Sequence, residues 1–187
     1  EGYHQAATQD GFTTTVLITF TDGGRRLAMA GSRGTRMLGD EGEMSAWVAG
    51  PVFGLSPPAP WGRFQSWSRN GYGYTLLLAT LAGRPSATNT VIVLERFDGD
   101  AVLQFTKGDT LPDGSVLTAL ASPIVNRART LAFLGKTNTG VNGGWYGQGT
   151  DLFGHDGPAP VTEFFHVGDP APGVDGGVWR SLVTHAL

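Results

Sequence analysis

Two copies of a Gly-Asp-x-x-Pro segment constrain this chain more than any other feature. Gly108-Asp109-Thr110-Leu111-Pro112 leads through Asp113-Gly114 into Val116-Leu117-Thr118-Ala119-Leu120. Gly168-Asp169-Pro170-Ala171-Pro172 leads through Asp175-Gly176-Gly177 into Val178-Trp179-Arg180-Ser181-Leu182. The two glycines stand 60 positions apart (168 less 108). Each segment follows an apolar stretch, Val102-Leu103-Gln104-Phe105 in one case and Phe164-Phe165-His166-Val167 in the other. Self-similarity at a fixed spacing of this size marks stacked supersecondary units that bury a face only against one another.

A second echo extends the repeat upstream. Asn70-Gly71-Tyr72-Gly73 follows Phe64-Gln65-Ser66-Trp67, and Asn126 follows Ser122-Pro123-Ile124-Val125, a spacing of 56 (126 less 70). Asp10-Gly11 lies 60 positions before Asn70 and opens onto Thr13 to Phe20. The chain is therefore expected to form one repeat domain, 1–187, of three units at approximately 1–63, 64–115 and 116–187.

Each unit reads as about four short strands. The middle one has Phe64 to Trp67, Tyr74 to Leu81, Val91 to Phe97 and Val102 to Phe105. The last has Val116 to Leu120, Thr130 to Leu134, Gly144 to Tyr146 and Glu163 to Val167. The first has Thr15 to Phe20, Arg26 to Ala30 and Met44 to Val48, and lacks an opening strand. Turn residues divide them at Asp22-Gly23-Gly24, Asp98-Gly99-Asp100 and Asn142-Gly143-Gly144, where Asp and Asn bond their own backbone and Gly supplies positive φ. The Tyr74 to Leu81 run is apolar on both faces, which suits an interior strand. Gly 29 and Pro 11 of 187 residues agree with a fold of many turns, and no capped helical stripe stands out. The expected class is all-β: three four-stranded antiparallel units arranged as a β-propeller-like array or three-sheet prism. Alternatives are a six-bladed homodimer or a stretch of a longer array. Because Val178 to Leu182 looks like the opening strand of a fourth unit, closure by pairing the terminal strands is expected to remove two sheet edges. The expected core includes Val16, Ile18, Leu76, Leu78, Val93, Leu131 and Phe133, and Trp179 reads as a core position.

The residues match a known pattern. The chain resembles bacterial exported repeat proteins of the choice-of-anchor type, whose units carry Asn-x-x-Gly, a buried apolar strand, a downstream Trp and a Gly-Asp-x-x-Pro-Gly turn. Asn70-Gly71-Tyr72-Gly73 and Gly168-Asp169-Pro170-Ala171-Pro172-Gly173 fit; Asn126-Arg127-Ala128-Arg129 has Arg129 in the Gly position; Trp145 and Trp179 suit the tryptophans. The resemblance implies an exported, propeller-like array, in some members surface-anchored.

Composition narrows the function. The formal net charge is -3 with no basic stripe, so nucleic acid is not an expected partner. No apolar run approaches the length of a membrane helix. The chain has no cysteine, which removes disulfides and thiolate metal sites, and an extracellular, cell-surface or periplasmic location is expected. No Gly-x-Ser-x-Gly elbow occurs, and Gly71-Tyr72-Gly73 is followed by no strand-to-helix unit, so neither a hydrolase elbow nor a nucleotide loop is read. The leading expectation is a non-catalytic interaction or structural module with a protein partner or self-association. Exposed aromatics beside amides suggest a glycan-binding alternative at Trp61, Asn70 and Tyr72 in one unit and Asn142 and Trp145 in another. A glycan-processing enzyme, the second alternative, would draw on Asp151, Asp156 and Glu163. No cofactor is expected; calcium, if bound, would use Asp109 and Asp113. His4, His155, His166 and His185 show no metal-ligand spacing.

Overall fold

In a computed structural model of the protein, the residues described are 3–6, 13–31, 34–42, 46–47, 50–52, 54–70, 72–95, 101–149 and 161–181. They form only strands and turns, with no helix among them. The first sheet comprises β1 (Tyr3–Ala6), β2 (Thr13–Thr19), β3 (Arg25–Gly31) and β4 (Gly34–Asp40). A short pair follows, β5 (Ala46–Trp47) with β6 (Gly50–Pro51). The second sheet holds β7 (Trp61–Arg69), β8 (Thr75–Leu81), β9 (Thr90–Glu95) and β10 (Ala101–Thr106). The third holds β11 (Leu117–Val125), β12 (Thr130–Thr137), β13 (Asn142–Gln148) and β14 (Val161–His166). Every four-stranded sheet is an antiparallel meander in chain order, the pattern short connections favour.

The first unit departs from the sequence reading in two places. It has an opening strand: β1 pairs with β2, Tyr3 opposite Ile18 and Ala6 opposite Thr15. Its last strand is β4 rather than Met44 to Val48, of which Ala46 and Trp47 belong to the β5–β6 pair. Gly34-Thr35-Arg36-Met37-Leu38-Gly39-Asp40 has little β-propensity and reads as loop; pairing to β3 organises it. At the other end, Val178 makes an isolated bridge to Pro170 and no strand continues through 181. Among the described residues no sheet is closed, and the first sheet's opening place is occupied by β1. The rest of the expected terminal pairing, residues 182–187, lies outside the described residues.

Two cores hold the stack together. One buries Leu17 and Leu27 of the first sheet against Trp61, Phe64, Leu77, Ala79, Leu81, Val91, Val93 and Ala101 of the second. The other buries the opposite face of the second sheet, Leu76, Leu78, Ile92, Leu94 and Phe105, against Leu117, Leu120, Leu131, Phe133, Trp145 and Val161 of the third. The second sheet is thus covered on both faces, which is why β8 and β9 read as nearly continuous apolar runs. Of the expected core, Leu76, Leu78, Val93, Leu131 and Phe133 are buried. Ile18 is only half-buried and Leu17 is 2 % exposed. The side chain of Val16 lies outside what is described. With three consecutive apolar residues in Val16-Leu17-Ile18, period-2 reasoning cannot choose the face, and one step reverses it.

Polar bonds stitch sheet to sheet. The β7–β8 register breaks between Trp61 and Arg63 and again between Phe64 and Ser66; there the Phe64 N–H donates to Glu41 Oε1 at 2.7 Å. The Gly42 N–H donates to the Trp61 carbonyl at 2.6 Å, and Trp67 Nε1 donates to the Thr15 carbonyl at 3.2 Å.

Candidate functional site

The two Gly-Asp-x-x-Pro turns are closed by the same bonds. In the Gly-Asp-x-x-Pro turn, Gly108 N–H donates to the Leu117 carbonyl and Leu117 N–H to the Asp109 carbonyl; Gly168 with Trp179, and Trp179 with Asp169, do the same. The Asp109 carboxylate accepts the Thr106 N–H at 2.7 Å, and that of Asp169 the His166 N–H at 2.8 Å. Positive φ at Gly108 (104°) and Gly168 (103°) is what the glycines supply. Asp113 Oδ1 accepts both the N–H and the hydroxyl of Ser115. These hydrogen bonds hold the Asp113 pKa below its ordinary value, whereas burial raises that of Asp109 despite its bond to Thr106. The carboxylates expected to serve calcium therefore act as turn caps. Among the described residues no group of three or more His, Asp and Glu is arranged to hold a metal ion.

The Asn-x-x-Gly turns repeat with equal fidelity. Asn70 Oδ1 accepts the Tyr72 and Tyr74 N–H groups at 2.9 and 3.1 Å; Asn126 Oδ1 accepts those of Ala128 and Thr130, both at 2.9 Å. Gly73 has φ 88°, and Arg129 adopts φ 64° in the same place. The two turns also touch, since Asn70 Nδ2 donates to the Asn126 carbonyl at 2.6 Å. Asn70 is consequently buried, its amide committed to the fold.

The structure does not gather the aromatics proposed for glycan binding. Trp61 is 0 % exposed, with Phe64 at 5.6 Å, and Trp145 is 2 % exposed, stacked on Phe133 at 6.0 Å. Both indoles fill cores between sheets and offer no ring face to a sugar, contrary to the exposure expected of them. Trp145 presses the Gly135 backbone, where an added Cβ would lie 3.0 Å from its ring. Asn142 is half-buried on β13 and its carbonyl accepts the Val167 N–H. Only Tyr72, 45 % exposed, presents its ring, with the Arg127 guanidinium 4.3 Å from its centroid.

Of the proposed catalytic carboxylates, Asp151 and Asp156 lie outside the described residues. Glu163 Oε1 meets His166 Nδ1 at 2.7 Å, and His166 Nε2 meets Asp169 Oδ1 at 3.1 Å. Both imidazole nitrogens are thereby engaged on an exposed rim.

What the sequence reading missed is an aromatic face. Ile124, Tyr146, Phe164, Val178 and Trp179 are all exposed on the third unit, contrary to the expectation that Trp179 is core. Their rings form a string: Tyr146 to Phe164 at 5.8 Å, Phe164 to Phe165 at 4.3 Å and Phe165 to Trp179 at 5.7 Å. Its signal was present in the sequence, as apolar residues out of phase with the buried set on the same strands.

The fold defines an all-β protein of antiparallel sheets packed on one another. No protein-family model, curated protein or solved structure matches the chain.

Proposed function

We propose that this chain is a non-catalytic extracellular interaction or structural module, an accessory part of a larger assembly, built as an open propeller-like stack. The reading is carried by one observation: among the described residues, the turn carboxylates, the Asn70 amide and the two indoles singled out for chemistry or binding are spent on turns and cores, while six of the eight exposed large hydrophobic residues lie on the third unit. Asp109, Asp113 and Asn70 cap turns, and Trp61 and Trp145 are buried. The propeller-like arrangement is supported by the opening strands, since β1 and β11 both contact β7 and each sheet meanders away from its opening strand in chain order. Cross-linking of the purified chain, alone and in a cell-surface fraction of its source, tests the proposal: specific self- or partner-adducts are expected. An uncross-linked monomer that turns over a glycan and loses that turnover in Glu163→Gln would overturn it.

Glycan contact at the Asn-turn end is the second reading, favoured by the open ring of Tyr72 beside Arg127. Binding on a glycan array that Tyr72→Ala abolishes would support it; a blank array, or binding untouched by that change, discards it.

A further inference from the structure

The third sheet's outer face has the anatomy of an interface core. Alternation along β11 to β14 places Leu131, Phe133 and Trp145 towards the second sheet, so their neighbours point outward. The register then defines two adjacent outward rows. One runs Ile124, Ala132, Tyr146, Thr162; the other runs Ala121, Leu134, Gly144, Phe165. The Phe164 and Phe165 rings both lie over Gly144, within 2.7 Å of where its Cβ would be. Polar pairs bracket these rows: Thr130 with Gln148 on one side, Lys136 with Asn142 on the other. No charged residue stands within the two rows, and Glu163, His166 and Asp169 pair with one another at the rim. An apolar centre with a polar border is how protein–protein contacts are built.

The molecule itself shows what covers such a face. Counting from Asn70 and Asn126, Leu76 and Leu78 of the second sheet correspond to Ala132 and Leu134 of the third. The pairs Leu78–Ile92 and Leu76–Leu94 correspond to Leu134–Gly144 and Ala132–Tyr146. In the second sheet those positions are buried under the next repeat unit. In the third, Ala132 and Leu134 are half-buried, Tyr146 is 42 % exposed and Gly144 is buried beneath the Phe164 and Phe165 rings, while Phe164 and Ile124 beside them are 50 % and 59 % exposed.

We propose that this face binds the same face of a second copy of the chain, third sheet against third sheet, about a twofold axis. This rests on the assembly reading above and names its partner. The stack's other end makes a poor complement. On the first sheet, alternation from Leu17 and Leu27 puts Ile18 and Arg26 on the face turned away from the second sheet, where Arg26 forms a bidentate ion pair with Asp40. Covering that pair with an aromatic face would desolvate two charges. The third sheet's uncharged face meets its own copy without like-charge repulsion, and a self-complementary patch closes as a dimer rather than growing into a fibre. Four strands by six residues give a footprint of about 19 by 20 Å. Two such faces, about 19 by 20 Å each, bring together roughly 760 Å², below the size of a standard specific interface, so the contact is a weak one and the dimer forms reversibly and depends on concentration.

Sedimentation equilibrium of the purified chain, from low to high micromolar, decides the matter. A monomer–dimer equilibrium is expected. Ile124→Lys or Phe164→Lys, both at exposed positions, weakens it by roughly 30-fold, and Phe20→Lys, on the first unit, leaves it unchanged. Phe164→Ser is the milder variant, with near-ultraviolet circular dichroism reporting that each variant stays folded. A chain monomeric at the highest concentration overturns the proposal. So does a dimer indifferent to folded Ile124 and Phe164 variants, or one that Phe20→Lys weakens equally. A monomeric chain that still cross-links to a different protein would leave the assembly reading standing and remove only the twofold contact.

Discussion

The second and third sheets share a turn chemistry, a strand order and a register, yet they differ in what lies against their two faces. Leu78 and Leu134 stand the same distance after Asn70 and Asn126; Leu78 is buried between sheets and Leu134 is half-buried on an outer face. The difference teaches that the repeat carries two separable codes. Turn residues specify how a unit is folded, and the apolar residues of the two phases specify how many neighbours it has. In the second sheet both phases are aliphatic, Leu76-Leu77-Leu78 and Val91-Ile92-Val93-Leu94. In the third one phase is aliphatic or aromatic and buried, while the other mixes Ala, Gly and Thr with the half-buried Leu134 and the exposed Ile124 and Tyr146.

The largest effect expected from this comparison is at the core shared by the two sheets. Trp145→Ala removes a buried indole stacked on Phe133 and should cost about 3–5 kcal/mol in urea unfolding, whereas Tyr146→Ala, next in sequence but facing out, should cost less than about 1 kcal/mol in the monomer. Comparable losses at both positions would mean that the outer face is covered within one chain.

One step smaller is the leucine pair. Leu78→Ala should destabilise by about 2–4 kcal/mol and Leu134→Ala by about 1 kcal/mol or less, because the latter site lacks a neighbouring sheet and leaves no closed cavity. If self-association covers Leu134, its cost rises with protein concentration, since binding of the native form adds to apparent stability. Unfolding curves at two concentrations therefore separate an uncovered face from a covered one.

How much of this was legible follows from the same two codes. The Gly-Asp and Asn turns were readable because Gly, Asp, Asn and Pro act locally: the Asn70 oxygen bonds within four residues and Gly108-Asp109 within nine, wherever the unit sits in the stack. The turn expected at Asn142-Gly143-Gly144 is instead the start of β13, where pairing to β12 overrides its turn residues. The strands of the second and third units were readable because β-branched and leucine-rich runs separate those turns. In the first unit β2 and β3 were readable too, but its outer strands were not, because β1 and β4 are weak strand formers held by pairing across the sheet, and sequence does not display the partner. The binding aromatics were misplaced for a related reason. Trp145 and Tyr146 are adjacent and point to opposite faces, so composition around the turn could not distinguish the ring that fills a core from the ring that faces out. Phase relative to Phe133 would have done so.

The two Asn turns sharpen the comparison further. Asn70→Ala loses two backbone bonds and the bond to the Asn126 carbonyl, and should cost about 2 kcal/mol. Asn126→Ala loses the two backbone bonds within its own turn at an exposed site, for about 1 kcal/mol. At the position three residues on, Gly73→Ala forces a side chain into positive φ and should cost about 1 kcal/mol, while Arg129→Gly relieves the same strain and should raise stability by about 0.5 kcal/mol. Thermal unfolding of the four variants in parallel gives this ranking, and an Arg129→Gly variant less stable than the parent would show that its side chain contributes more than its backbone conformation costs.

The smallest effect concerns the Gly-Asp turns and is read from pH. Burial raises the Asp109 pKa above its ordinary value, so the folded state binds a proton in a window just above that value where the unfolded chain does not. Stability contributed by protonation is then fully present below the unfolded pKa and is lost as pH rises through the folded one. Asp109→Asn keeps an oxygen to accept the Thr106 N–H and removes the charge that burial disfavours. The variant should therefore match or slightly exceed the parent at neutral pH, with its advantage shrinking as pH falls through the ordinary carboxylate range. Asp169→Asn retains the same cap to the His166 N–H but loses the charged partner of the His166 ring, on an exposed rim where such a pair contributes at most about 1 kcal/mol. Its effect should be of opposite sign, a small loss from the broken contact with the His166 ring. Unfolding midpoints for both variants between pH 3 and pH 8 test this, and parallel profiles would show that the two turns, alike in backbone, do not differ in the electrostatics of their carboxylates.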